Sequence, residues 1–82
     1  MSHNKINYEE KKLQEKKERI KENRIKKLED KIQQLEKNIK KLDEEMKICS
    51  SNFEKLNELY SEKNKFQKIL DYVLEEWIVL SE

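Results

Sequence analysis

The sequence predicts an all-α chain, a two-helix antiparallel coiled-coil hairpin with a longer, partly unpaired first helix. Three observations lead there. The 82 residues contain no Gly and no Pro, 45% of them are charged, and the apolar positions recur at alternating spacings of 3 and 4 in two separate series. Turns draw on Gly and Pro for special backbone angles, so a chain with neither favours long helices over a sheet or a looped α/β fold. The length suits one small domain or a piece of a larger protein.

The first series runs Ile25, Leu28, Ile32, Leu35, Ile39, Leu42, Met46 and Cys49. That is the a/d stripe of a heptad repeat. The second runs Leu56, Leu59, Lys63, Phe66, Leu70, Val73, Trp77 and Leu80, with Lys63 its one polar member. Continuing the first frame through the second half would admit two polar residues, Lys63 and Gln67, so the frame changes between them. Ser51 and Glu54 lie there with the S-x-x-E spacing of a capping box, which predicts a new helix start at Ser51. Helix one is expected over about 7–48, the turn over about 49–51 and helix two over about 52–80.

Folding back at that turn places residues whose numbers sum to 101 or 102 face to face: Cys49 with Phe53, Met46 with Leu56, Leu42 with Leu59, and so on to Ile25 with Trp77. Lys63 falls opposite Ile39, where it can lay its methylenes on the seam and carry its ammonium to Asp43 or Glu36. Asn7, with Glu10 three residues on, is the expected cap of helix one. Residues 1–6 are expected to be a leader and disordered start. Residues 7–19 have no partner in the hairpin and only the weak repeat Ile6, Leu13, Ile20, so fraying is expected there.

The composition also excludes chemistry. Without Gly there is no Walker A loop, dinucleotide-binding turn or nucleophile elbow. One Cys, Cys49, and one His, His3, leave no zinc set, no Cys/His catalytic pair and no intramolecular disulfide. Paired acids such as Glu44–Glu45 and Glu75–Glu76 have no pocket around them. No enzyme, catalytic residue, metal or cofactor is therefore expected. The longest apolar run, Trp77–Leu80, is far too short to span a bilayer, and a cytoplasmic protein with no membrane partner is expected.

The net charge of +1 hides a polarity. Residues 1–31 carry 11 basic and 7 acidic side chains, and residues 32–82 carry 8 and 11. The basic excess peaks in Lys16, Lys17, Arg19, Lys21, Arg24, Lys26 and Lys27, which are the candidate nucleic-acid-binding residues. Lys and Arg on successive helical turns can track a phosphate backbone with little regard to base sequence. The other reading of the same run is the solvated face of a coiled coil. Trp77 is read as core, and Tyr8, Tyr60 and Tyr72 as flanking residues.

The segments Asn7-Tyr8-Glu9-Glu10-Lys11-Lys12, Leu59-Tyr60-Ser61-Glu62-Lys63 and Leu74-Glu75-Glu76-Trp77-Ile78-Val79-Leu80 carry a family likeness. Over roughly residues 6–82 the chain resembles the C-terminal domain of ABC-F ATPases of the Uup type. The resemblance implies an intramolecular coiled coil appended to upstream ATPase domains, and an accessory role in binding DNA or ribosomal RNA. It carries over no motif-level binding residue, and the tip Ile48-Cys49-Ser50-Ser51-Asn52-Phe53 departs from the Pro- or Asp-containing tips of many members. Two other roles stay open: a structural or protein-contact module that positions the ATPase domains or docks on a ribosomal partner, and a parallel coiled-coil dimer. A monomer is expected in isolation.

Overall fold

The computed structural model describes residues 2–82, with side chains from Asn7 onward. Two helices, α1 (Ser2–Ile48) and α2 (Phe53–Ser81), pack against each other in a hairpin about 77 Å long and 15 Å across. No strand occurs among the described residues.

The predicted stripes are the seam. Leu28, Leu35, Leu42, Leu59, Leu70 and Val73 are buried, and Ile32, Ile39, Phe66, Trp77 and Leu80 pack against the central cluster of Leu28, Leu35, Leu70 and Val73. Every other member of the two stripes is half-buried, Lys63 included. Leu74, beside the stripe, also packs on this cluster. The mixture of buried and half-buried layers follows from geometry: a two-helix seam has solvent on both flanks, so only some of its side chains are fully covered. Two ion pairs bracket it. Lys63 Nζ meets Asp43 Oδ1, as the sequence suggested, and Arg24 Nη2 lies 3.3 Å from Glu76 Oε1.

The structure corrects the sequence reading at three points, the first of them in the turn. The cap of α2 is Asn52, not Ser51: Asn52 has an extended backbone (φ −106°, ψ 96°) and its Oδ1 accepts from the Lys55 amide at 3.2 Å. Cys49 donates its amide to the Glu45 carbonyl at 3.0 Å, and the Asn52 amide donates to the Cys49 carbonyl at 2.9 Å, so Ser51 is still inside the turn. Glu54 is then the second helical residue, one position short of where a capping box needs it, and it faces the positive end of the helix dipole instead. The reversal uses no positive φ among the described residues, which is how a chain without Gly makes it.

The second correction is the last layer. Phe53 is 75% exposed, not packed on Cys49, because α1 ends at Ile48 and leaves no helical surface opposite the first residue of α2. The seam closes at Met46 and Leu56 instead. The third concerns the start of α1, which is Ser2 and not Asn7, so Asn7 lies within the helix. Asn costs only about 0.7 kcal/mol in a helix interior, and no Gly or Pro stands near to stop the helix. Of the expected leader, Met1 and the side chains of residues 2–6 lie outside the described residues.

Every residue from Asn7 to Arg24 is exposed. The end of α2 reaches α1 where Leu80 and Ser81 lie beside Glu18, Lys21 and Ile25. The part of α1 before Glu18 therefore projects past the hairpin by about 24 Å.

Candidate nucleic-acid interface

All seven candidate residues lie on α1 and all are exposed. Helical geometry divides them. Lys17, Lys21, Arg24 and Lys27 follow at steps of four, three and three residues, the spacing of neighbours on one helix face. One further step of four adds Lys31, which the sequence reading left out because it lies past the densest part of the run. These five cations form a ridge about 21 Å long. Arg19 and Lys26 lie on a second face, roughly 150° around the helix from the middle of the ridge, while Lys16 stands at the ridge's edge, about 20° from Lys27 in projection.

Neighbouring charge is spread over both faces. Arg19 and Lys26 each have a glutamate four residues before them, Glu15 and Glu22, the favourable order for an intrahelical pair. Lys21 has Glu18 and Lys27 has Asp30 at a spacing of three. Lys16 and Lys17 have no acid three or four residues away on either side. Arg24 is held by Glu76 of α2, and this is the only one of the seven in an ion pair among the described residues. Both partners are well exposed, 58% and 39%, so the pair contributes at most about 1 kcal/mol.

The ridge runs into a groove between the helices. Leu28 and Val73 form its floor, Arg24, Lys27 and Lys31 its α1 wall, and Ile69, Tyr72 and Glu76 its α2 wall, around a volume of about 340 Å³. Tyr72 is 68% exposed, so its ring stands at the rim, not in the core. The sequence reading treated Tyr72 as a flanking residue and did not join it to the cations. The signal was available in the heptad frame: Arg24 and Glu76 both occupy the position before an a residue, and such positions meet across an antiparallel seam.

No group of three or more His, Cys, Asp or Glu able to hold a metal is found among the described residues. Trp77 lies in the seam as expected, and its indole N–H is buried with no acceptor among the described residues. No helix is long and apolar enough to cross a membrane.

This unbroken two-helix arrangement, with its seam extending to the last turns of α2, is matched over residues 5–82 by a known family, the ABC transporter C-terminal domain. The chain belongs to that family. The match includes all but the first residues of the projecting end of α1, so that segment falls within this C-terminal domain. No curated protein and no solved structure matches the chain.

Proposed function

We propose that this ABC transporter C-terminal domain is the accessory coiled coil of an ABC-F ATPase of the Uup type, binding DNA or ribosomal RNA without sequence preference. The single observation that carries the reading is the ridge Lys17–Lys21–Arg24–Lys27–Lys31, five cations on one exposed helical face. Contacts of that kind release counterions from phosphates and require no base readout. Nucleotide hydrolysis belongs to upstream ATPase domains of the same protein, and this domain is not itself an enzyme. The setting is cytoplasmic.

The test is a fluorescence-anisotropy titration of a labelled duplex and a structured RNA across a salt series. The expected result is affinity that falls steeply with salt, with a log-log slope of several units. Reversing Lys17, Lys27 and Lys31 to Glu abolishes binding while helicity by circular dichroism is kept, and reversing Arg19 and Lys26 has a smaller effect. Unchanged affinity in the first variant would falsify the reading.

A second reading rests on Ile78 and Val79, which are 50% and 70% exposed at the end of α2. Such residues would suit contact with the ATPase domains or with a ribosomal protein. It predicts that Ile78→Ser with Val79→Ser loosens the domain from its ATPase domains in limited proteolysis of the full protein, with nucleic-acid affinity unchanged.

A further inference from the structure

We propose that the groove between α1 and α2 at Tyr72 is a site for an unpaired nucleotide, and that Glu76 holds its arginine in reserve. The proposal rests on the reading of the domain as a nucleic-acid binder, and it assigns a class of ligand and a mode of contact to one part of the surface. Three observations meet at this groove. Tyr72 offers an aromatic ring that is 68% exposed although it stands next to the seam. Arg24, Lys27 and Lys31 form the facing wall, so cations stand within the same groove as the ring. Ile69 extends the apolar surface beside Tyr72 along α2.

An aromatic face beside a row of cations is the chemistry that recognises single-stranded nucleic acid. The ring stacks on a base that has no partner, and the cations hold the phosphates on either side. A duplex keeps its bases stacked on each other, so it can use the ridge but not the ring. The groove therefore favours an unpaired strand, a loop or a strand end over duplex, independently of sequence.

The Arg24–Glu76 pair defines the second half of the inference. At 3.3 Å, Glu76 Oε1 occupies a position beside the guanidinium that a phosphate oxygen would take. A guanidinium binds carboxylate and phosphate through the same donors, so the two compete for it. With both partners exposed the pair is weak enough to exchange. Glu76 thus keeps Arg24 oriented into the groove in the free protein and gives it up when a phosphate arrives.

The experiment uses the 82-residue chain with 12-nucleotide thymidine and uridine single strands and a duplex of equal length, at one low salt concentration. Tyr72→Ala is expected to lower single-strand affinity about tenfold and to leave duplex affinity within twofold. Tyr72→Phe keeps the ring and is expected to match the parent. Glu76→Gln is expected to raise single-strand affinity severalfold by freeing Arg24. Circular dichroism of each variant confirms the helices, and the exposure of Tyr72 makes its truncation tolerable to the fold. If the parent chain binds neither strand form, the nucleic-acid reading fails and this proposal with it. If the parent binds and Tyr72→Ala weakens duplex and single strand alike, or neither, the stacking site is wrong while the basic ridge stands. Equal loss in Tyr72→Phe also overturns it. The thymidine and uridine arms separate DNA from RNA as the source of the strand.

Discussion

Asn52 caps the entry to α2 with a side-chain hydrogen bond that its Oδ1 accepts from the Lys55 amide. Replacing it with Ala removes the acceptor and is expected to destabilise the hairpin by about 1 kcal/mol, read from the urea midpoint. Ser51→Ala, at the position the sequence favoured, is expected to change the midpoint little, and the contrast between the two variants tests the observed cap. Trp77 gives a second comparison. Its ring packs against the core while its N–H has no acceptor among the described residues. Trp77→Phe is therefore expected to cost far less than Trp77→Ala, for which about 3 to 5 kcal/mol is the usual range. A Phe variant as damaging as the Ala variant would mean that the N–H has a partner after all.

At the scale of the helices, α1 has two regimes. From Ile25 to Met46 its apolar stripe is covered by α2, and from Asn7 to Lys17 every residue is exposed. Stability in the first regime comes from packing and in the second only from helix propensity, which is marginal for a short isolated segment. Leu35→Ala, in the buried cluster, is expected to cost about 2 to 4 kcal/mol, and Leu13→Ala, 54% exposed before any change, close to nothing. Native-state hydrogen exchange should follow the same boundary, with amides of residues 7–17 exchanging fast and those of Leu28 to Leu42 protected. Uniform protection along α1 would show that the projecting segment has a partner. The basic ridge crosses this boundary: Lys17 and Lys21 are at or before the end of α2, whereas Arg24, Lys27 and Lys31 stand on packed helix.

For the molecule as a whole, the seam accounts for the apolar stripes of both helices within one chain. The expected mass by sedimentation is that of one chain, 10.1 kDa. The expected radius of gyration by small-angle scattering is close to 21.3 Å, slightly more with the hydration shell. A parallel dimer would double the mass and, by running both apolar series along one axis, would lengthen the particle. Charge is also arranged at this scale. The acidic end of α2, with Glu75, Glu76 and Glu82, folds back beside the basic part of α1, so that one cation of the ridge, Arg24, has an acidic partner across the seam.

How much of this was legible depended on the range of the interaction. The stripes, the fold-back and the Lys63–Asp43 pair could be read because a heptad repeat specifies which residues share a face, and a hairpin then leaves one register in which the layers match. The cap could not be read with certainty from spacing: Ser51 and Asn52 are adjacent and both are good caps, and the choice fell to whichever the turn left in extended backbone. Phe53 was misplaced for the same reason, since its burial depended on where α1 stops.

The candidate interface shows the same division. That α1 carries a basic run was written in the residues, and so was membership of a helical family, because composition without Gly or Pro and a regular apolar period need no tertiary information. Only the tertiary structure decided that Arg24 is held by Glu76, that Lys27 and Lys31 line a groove with it, and that Tyr72 stands across that groove from these cations. Sequence alone determines local periodicity and charge; which charges and rings come together depends on the register of two helices 52 residues apart at the Arg24–Glu76 contact, and that register is set by packing along the whole seam.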